Sequence, residues 1–506
     1  MPNPKRGIIS NVSTLFTESI FTDVLKKAFF ESWVGIRRSS VRDESIGHFI
    51  ARRYGSALAD NLVSALFHGI YAGDIYKLSA RQLMPAAWYL EVRDPEEGGI
   101  NLEIADMLFK RQAIMPFDTV RMINRMISDD VGDNNAMGFL HTQMLRTAIY
   151  SFAKGLGQLK DALVACLGGN PNVSIKTNTQ ISALNFDYST RKFNITTVES
   201  DSAQPDFDYT VCTLGQRALA KLLEKQDDGG REKNSTSSLV NTLRSGAPSS
   251  VNVMVVNLYY KSPDLPVPAG FGYLIPRSVP AEQNPERALG VIFSSETAGP
   301  RGKEAAFEEI TIESKEDVAE LQALMKAQNP DEQKIQATLR RQAENAKTER
   351  IQVGQDTASG TKLAVMLGGH WWSGWVDGDM PDEQSAIQMA KSVISRHLNI
   401  TEEPILAKAR LQKECIPQYQ LGYRDDMAKI HEHLRKVFDG RLKVLGPWWQ
   451  GGVGVNDCVK NARDTSRRIR EGWNDQTGLE DYVGEEKWVV IDKRTGMQVM
   501  DPMQKG

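Results

Sequence analysis

The sequence predicts a protein of mixed α/β and α+β character with two or three domains, and three observations support this prediction. First, its 506 residues exceed what a single hydrophobic core usually organises. Second, residues 13 to about 165 carry apolar side chains at helical spacing, whereas strand patterns dominate after Pro171. Third, "GRLKVLG", a run of glycines and "NDCVKNARDTSRRIREGW" predict a strand, a loop and a helix towards the C-terminus.

The composition excludes several classes of function. A formal net charge of −3 without a long basic block argues against a general nucleic-acid-binding protein. The motifs HExxH, GxSxG and GxxxxGK[ST] are absent, so zinc-dependent, serine-hydrolase and nucleotide-hydrolysing functions have no motif to support them. The scattered positions of the cysteines predict reduced thiols in an intracellular protein. These cysteines are Cys166, Cys212, Cys415 and Cys458.

The N-terminal third is predicted to be helical. "STLFTESIFTDVLKKAFFESW" near the start is an amphipathic helix, for which packing on the core is the preferred interpretation and a membrane surface the alternative. A second helix is predicted over Asp43–Arg53, and the apolar segment 60–73 continues the pattern. No apolar run reaches the roughly 18 residues that a membrane span needs.

The middle of the chain alternates strands with polar segments. Residues 173–198 predict two strand pairs, the first joined near Asn178 and the second turning at Tyr188–Thr190. A strand at 207–215 is predicted to lead into a helix at 216–224. Further strands are predicted at 250–261, 288–295 and 363–372. Residues 225–248 and 299–360 are polar or charged, and insertions of surface helix or disorder are expected there.

The segment "GPWWQGGVGVNDCVKNAR" (446–463) combines glycines with the start of a helix. Dense glycines let a backbone approach a flat or charged group, and a helix N-terminus offers N–H groups to an anionic edge. The pattern suits a phosphate, a ribose or a flavin edge, although many such turns are only tight crossovers. The aromatic segment "GHWWSGW" (369–375) is predicted to be core packing.

Five segments, taken together and in this order, resemble the oxygen-dependent protoporphyrinogen oxidases. They are "FHGIYAGDIYKLSARQLMP" (67–85), "VVNLYYKSPDLPVPAGFGYLIP" (255–276), "VMLGGHW" (365–371), "CIPQYQLGY" (415–423) and "GGVGVNDCV" (451–459). The resemblance runs from about residue 10 to 470, apart from the two polar insertions. It implies a flavin amine-oxidase-like fold.

In that fold, the resemblance implies five regions. A FAD-binding Rossmann-like domain, incomplete at its N-terminus, is expected to be discontinuous over 155–249 and 411–474. A helical region for substrate and membrane is expected over 1–154, and a substrate-binding domain over 250–410 that carries the insertion 299–360. Residues 475–506 are expected to form a tail.

The resemblance also implies a reaction and its site residues. The reaction is oxidation of protoporphyrinogen IX to protoporphyrin IX in haem synthesis, with FAD passing the electrons to oxygen and hydrogen peroxide as product. The backbone at Ile181 is expected to meet the adenine end of FAD. The residues expected along the isoalloxazine ring are Gly452, Val453, Gly454, Val455 and Asn456. Those matching positions that line the tetrapyrrole pocket are Gly69, Leu274, Ile292 and Met366. Because the flavin carries the chemistry, no catalytic side chain is expected.

One motif of this fold is missing from the chain. A FAD protein of this type begins with a strand, a GxGxxG turn and a helix, and no GxGxxG occurs in this sequence. The family's N-terminal arginine that pairs with a porphyrin propionate is also without a counterpart. A truncated gene product is the preferred expectation, ahead of a shortened inactive relative and of one half of a split protein. The chain as written is expected to bind FAD poorly and to turn over little.

Two other functions stay open. One is a different oxidoreductase of the flavin amine-oxidase superfamily, such as an amine oxidase or carotenoid desaturase. The other is a non-catalytic tetrapyrrole-binding relative. The resemblance further implies peripheral attachment to the mitochondrial inner membrane on the intermembrane-space side. A homodimer and contact with ferrochelatase are further partners that it implies.

Overall fold

The computed structural model of the chain describes residues 18, 24–93, 99–117, 119–120, 152, 154–199, 206–224, 234–295, 306–312, 320, 334, 336–338, 340–341, 347–353, 358–472, 475–484, 487–492 and 498–499. The α-helices, in chain order, are α1 Val24–Phe29, α2 Ile46–Tyr54, α3 Ser56–Leu58, α4 Ser64–Tyr71, α5 Ala80–Leu83, α6 Pro85–Arg93, α7 Ile100–Phe109, α8 Gly157–Gly168, α9 Gln216–Leu223, α10 Asn234–Ser245, α11 Glu383–Leu398, α12 Tyr423–Phe438, α13 Pro447–Gln450 and α14 Val455–Arg470. The strands are β1 Gln112–Pro116, β2 Ile181–Asp187, β3 Lys192–Thr197, β4 Thr210–Cys212, β5 Ser249–Tyr260, β6 Gly272–Leu274, β7 Ala288–Ile292, β8 Ala306–Ile312, β9 Lys347–Val353, β10 Thr361–Gly368, β11 Leu406–Gln418, β12 Leu442–Val444, β13 Trp488–Asp492 and β14 Gln498–Val499.

The N-terminal helices α2 to α7 pack around one apolar core, as the helical spacing predicts. Phe49 and Ile46 on α2 and Trp88 on α6 are buried in it. Ser45 caps α2 by accepting a hydrogen bond from the N–H of His48. A π-helical turn, Ala59–Val63, connects α3 to α4. No helix in the described part of the chain is long and apolar enough to cross a membrane.

A five-stranded antiparallel sheet forms the centre of the molecule, with strand order β11-β5-β10-β7-β6. One face of the sheet packs against α11 through a buried apolar layer, because alternate residues of each strand point to that side. Val256, Val291 and Val365 are in this layer, with Ala390 and Ile394 from the helix. The predicted strands at 250–261, 288–295 and 363–372 are confirmed as β5, β7 and β10.

A third cluster of elements surrounds the parallel pair β4 and β12. The β2–β3 hairpin and the helices α9, α10 and α12 pack around it, with Phe186, Phe193, Phe438 and Trp449 in the shared core. The predicted turn at Tyr188–Thr190, the strand at 207–215 with its following helix, and the strand–loop–helix near the C-terminus are all confirmed.

Several predictions about local structure are wrong. Residues 173–180 are not in a strand, so only the second predicted strand pair exists. The polar segment 225–248 contains α10, whose Leu239 and Leu243 are fully buried at helical spacing. The charged segment 299–360 contains β8 and β9, which pair antiparallel with each other.

Two strands connect regions that the sequence predicts as separate. The boundary placed after residue 410 falls within β11, which pairs with β5 on both sides of it. The expected tail contains β13, which pairs with β1 from the helical region.

Candidate functional site

The glycine-rich turn between α13 and α14 is held by its own residues. Gly451 has a positive φ of 70°, and the backbone N–H of Gly454 donates to the Asp457 carboxylate at 3.1 Å. A Cβ atom at Gly452 would lie 2.5 Å from Cγ of the same carboxylate, so the turn closes tightly only because this residue has no side chain. The glycines therefore bring the backbone of the turn against the first turn of α14.

The start of α14 is open to solvent. Gly454, Val455, Asn456 and Asp457 are exposed, and the first backbone N–H groups of a helix have no helical acceptor. Val459, one turn further along, is 55% exposed and adds apolar surface beside them. An exposed helix N-terminus next to apolar side chains suits a flat group that carries partial negative charge.

The two tryptophans before the turn fix its position. Trp449 is fully buried, and its indole N–H donates to the carbonyl oxygen of Leu214 at 2.7 Å. The carbonyl oxygen of Trp448 accepts from Gln216 and from the Tyr423 hydroxyl. These residues anchor the turn to the strand–helix connection at β4–α9, which explains their place in the sequence.

The four residues expected to line the tetrapyrrole pocket lie together. The side chains of Leu274, Ile292 and Met366 point to the same face of the central sheet, because Gly290 pairs with both Leu274 and Met366 and Ile292 follows two residues later. A Cβ atom at Gly69 on α4 would lie 2.9 Å from Cδ1 of Leu274. We call this side of the sheet, with Leu274, Ile292 and Met366, the site face.

The C-terminal end of α4 joins this face to the glycine-rich turn. Two of the other recognised segments fasten it. The side-chain amide of Gln418 donates to the carbonyl oxygen of Tyr71 at 2.9 Å, and the backbone N–H of His370 donates to the carbonyl oxygen of Ala72 at 2.8 Å. Burial, and then the negative charge of Asp457, raises the pKa of Tyr71 to about 12. Helix α4 therefore contacts the site face at Gly69, and the negative charge of Asp457 in the turn acts on its Tyr71.

A histidine pair beside α4 was not predicted. Nε2 of His68 lies 2.8 Å from Nε2 of His370, and Nδ1 of His68 lies 2.7 Å from the carbonyl oxygen of Ile275. Since a carbonyl only accepts, neutral His68 carries its proton on Nδ1 and accepts from His370. Burial lowers the pKa of both rings, that of His370 to about 3. The two positions are in separate segments with no shared motif, so the sequence gives no signal for the pair.

Ile181, expected at the adenine end of FAD, is placed apart from the sheet. It begins β2, pairs with Thr197 and has a side chain that is 39% exposed. Its hairpin belongs to the same apolar core as Val453 of the glycine-rich turn. The site residues predicted from the sequence therefore lie in two groups, one on the site face and one at the glycine-rich turn, and Ile181 lies apart from both on β2.

The residues of the turn fit the reactive part of a flavin. Exposed backbone N–H groups at the helix start suit the ring edge that becomes negative on reduction, and Val455 and Val459 suit its flat apolar face. No group of three or more His, Cys, Asp or Glu side chains that could hold a metal ion occurs among the described residues.

The fold that these elements build is flavin amine-oxidase-like. It matches the solved structure of a protein from Exiguobacterium sp. 255-15 assigned as a protoporphyrinogen oxidase, with a TM-score of 0.53 at 15% identity. The match covers 91% of this chain and 73% of that chain.

Sequence comparison points to the same group of proteins. The chain is 25% identical to protoporphyrinogen oxidase from Schizosaccharomyces pombe over 427 residues, which are 84% of this chain and 68% of that protein. Relatives of the same name from Saccharomyces cerevisiae and human are 24% and 23% identical. No protein-family model matches the chain. The resemblance to protoporphyrinogen oxidases is confirmed over most of the chain.

Proposed function

We propose that this protein oxidises protoporphyrinogen IX to protoporphyrin IX with FAD and molecular oxygen, giving hydrogen peroxide. The observation that carries the proposal is the position of α4. A Cβ atom on its Gly69 would lie 2.9 Å from Leu274 on the site face, and its Tyr71 packs against the same apolar core as Val453 of the glycine-rich turn. A substrate on the site face and a flavin at the turn would therefore meet at one helix end.

The residues of the chain bind and orient in this proposal. Leu274, Ile292 and Met366 supply aliphatic surface for a flat macrocycle, and Gly69 lets α4 approach Leu274 closely because it lacks a side chain. A flavin bound at the turn would accept the electrons and hydrogen of the substrate and return them to oxygen. The first turn of α14 would stabilise the negative charge that reduction places on such a ring.

The proposal is tested with the purified full chain. The visible absorption of bound flavin is recorded after addition of FAD and removal of the excess, and porphyrin fluorescence is followed after addition of protoporphyrinogen IX in air. Gly69→Leu is expected to lower turnover at least 10-fold while the flavin spectrum is retained, because the new side chain occupies the surface beside Leu274. Gly168→Leu is the matched control, since Gly168 is also helical and a Cβ atom there meets nothing within 4 Å.

Because the chain carries no GxGxxG turn, a weak flavin spectrum and slow porphyrin formation are expected of the wild-type protein. Absence of both when FAD is present in excess throughout the assay would overturn the oxidase proposal. Binding of protoporphyrin without flavin would favour a non-catalytic tetrapyrrole-binding protein instead. The same assay includes an amine panel, because amine oxidation is the activity of a related class with this fold.

A second porphyrinogen is a specific alternative substrate. Over 93 residues, or 18% of this chain, the sequence is 45% identical to coproporphyrinogen III oxidase from Bacillus subtilis. Coproporphyrinogen carries four carboxylates and protoporphyrinogen carries two, so parallel assays with both compounds separate the alternatives. Faster oxidation of coproporphyrinogen would replace protoporphyrinogen IX as the substrate.

We also propose peripheral attachment to a membrane, on the mitochondrial inner membrane if the chain is a eukaryotic relative. The support is an exposed apolar surface at the helical region. Phe109 at the C-terminal end of α7 is 90% exposed; Trp33 and Phe29, near the N-terminal end of this helix, are 78% and 75% exposed, and Lys26 and Lys27 precede them on the chain and are exposed. Aromatic side chains with adjacent lysines suit the interface of an anionic bilayer.

A further inference from the structure

Two rows of directly opposed residues cross the whole central sheet on the site face. The first row is Arg410, Val255, Met366, Gly290 and Leu274 on β11, β5, β10, β7 and β6. The second row, in the same strand order, is Lys408, Asn257, Ala364, Ile292 and Gly272. Directly opposed residues in antiparallel strands place their side chains on the same face of a sheet. Each row therefore ends in a cation on β11.

Neither of these two cations has a partner among the residues that the structure describes. Arg410 and Lys408 are exposed on β11, which is the edge strand of the sheet. Among the described residues, neither side chain takes part in an ion pair or hydrogen bond, whereas Lys413 on the same strand pairs with Asp377 at 2.8 Å. Neither row contains an acidic residue. The two rows therefore bring two exposed cations and no acidic residue to this edge, and the carboxylate that contacts β11 between them, that of Glu383, accepts the backbone N–H of Ala409 at 3.3 Å.

The distance across the sheet determines the size and charge distribution of a ligand that could contact both the apolar residues and the cations. Strands lie about 4.8 Å apart, so the backbones of Arg410 and Met366 are separated by about 10 Å across the sheet. If the apolar ring of a ligand covers Met366 and Leu274, its anionic groups must lie on the side of the ring that faces β11 in order to contact the cations. Arginine suits such a contact because its guanidinium binds carboxylates with two parallel hydrogen bonds.

We propose that Arg410 and Lys408 form the carboxylate subsite for the substrate, binding the propionates of a tetrapyrrole whose ring lies on the site face. This inference rests on the proposed function for the identity of the ring. It assigns specificity for the charged edge of the substrate to β11, a strand outside the segment that holds Gly69.

The test uses the full chain and two probes that differ only in charge: protoporphyrin IX and its dimethyl ester. Binding is measured by porphyrin fluorescence at two ionic strengths. The double variant Lys408→Gln/Arg410→Gln is expected to weaken binding of the free acid about 10-fold, as loss of two exposed charge contacts predicts, and to leave the ester unchanged. Salt is expected to weaken binding of the free acid only.

Lys413→Gln is the matched control, because it removes a charge from the same strand but one that already has a partner. Thermal unfolding verifies that each variant is folded. Unchanged binding of the free acid by the double variant would overturn the subsite. Equal affinity of the wild-type protein for the acid and the ester would also overturn the subsite, but it would leave the proposed function standing. Failure of wild-type protein to bind either probe would overturn the proposed function together with the subsite.

Discussion

At the scale of single residues, His68 and His370 give the site a dependence on pH. His68 is 3% exposed, and its ring is held between His370 and the carbonyl oxygen of Ile275. The charges that act on His370 from the surrounding elements are those of His68, Asp74, Lys77 and Arg277. Burial has the largest effect and keeps both rings neutral.

We therefore expect the free energy of unfolding to fall as the pH is lowered from 7 to 4. The pKa of His370 is about 3 in the folded protein, below the usual value near 6.5 in an unfolded chain. Between these values the unfolded state binds more protons, so stability is lost as the pH decreases. Urea unfolding at a series of pH values measures this slope, and His370→Gln is expected to make it shallower.

His433→Gln is the matched control, since it removes a histidine from α12 and leaves the pair intact. A slope for His370→Gln as steep as that of the wild-type protein would show that the pair does not titrate on unfolding.

The residue scale also shows what the sequence could predict. The resemblance grouped Gly69, Leu274, Ile292 and Met366; strand register places the last three on one face of the sheet, and a Cβ atom on Gly69 of α4 would lie 2.9 Å from Leu274. The histidine pair could not be predicted, because contacts between residues 302 positions apart depend on how elements pack. Arg410 and Lys408 resemble ordinary surface cations until the register of β11 is known.

At the scale of elements, α7 begins on a carboxylate from a distant segment. The Glu31 carboxylate accepts the backbone N–H groups of Ile100 and Asn101, both at 3.1 Å, and also pairs with Arg53. The side chains of Glu31 and Arg53 are both fully buried. The helix start thus depends on a buried ion pair rather than on a cap from its own sequence.

We expect Arg53→Met to lower the free energy of unfolding by about 3–5 kcal/mol, because it removes the cation that pairs with the buried Glu31 carboxylate and one of the three that pair with the buried Glu91. Adding Glu31→Gln to this variant is expected to cost much less than the same change in the wild-type protein, since the two residues act as a pair. Denaturant unfolding of the two single variants and the double variant measures the coupling.

The exposed pair Lys110–Asp106 supplies the comparison. Lys110→Gln is expected to change stability by less than about 1 kcal/mol. Additive costs for Glu31 and Arg53 would contradict the proposed dependence of α7 on the pair.

Helices and strands could be predicted from the sequence where apolar residues form a clear helical or strand pattern, and less well elsewhere. The strands β5 and β10 were found because dense apolar runs of this length are typical of buried strands. The segment 225–248 was misassigned because its polar composition hides Leu239 and Leu243, which form the buried side of α10. Within the described part of the chain β8 and β9 pair with each other, and apolar alternation is limited to a few residues at the end of each strand, which is too short to indicate a half-buried strand.

At the scale of the whole molecule, the exposed aromatic side chains of the helical region help to distinguish two interpretations of the N-terminal segment: packing on the core and attachment to a membrane. Packing on the core was the preferred interpretation, and residues before Val24 lie outside the described residues apart from Glu18. In the described part, Phe29 and Trp33 point into solvent beside α7, whose Phe109 is also exposed. This surface favours the alternative interpretation, attachment to a membrane.

We expect the full chain to bind vesicles that contain anionic lipids and to lose most of this binding in the double variant Trp33→Ser/Phe109→Ser. Each aromatic side chain buries large apolar area at a bilayer interface, so a loss of at least 10-fold is expected. Co-sedimentation with vesicles measures it. Val376→Ser is the control, because Val376 is 67% exposed outside the helical region. Equal losses for the control and the double variant would contradict a defined membrane surface.

The connection between β7 and β10 has a consequence for how this protein could be altered. Ile292 lies directly opposite Ala364, so the chain leaves the central sheet and returns to it at neighbouring positions. Phe293, directly after β7, is 2% exposed in the core of the sheet and has to stay, whereas a change of length beyond Ser295 is expected to leave Met366 and Leu274 in place. A gene cut in this connection and expressed as two polypeptides should still assemble the sheet, and a reporter protein could be inserted there without disturbing the site face.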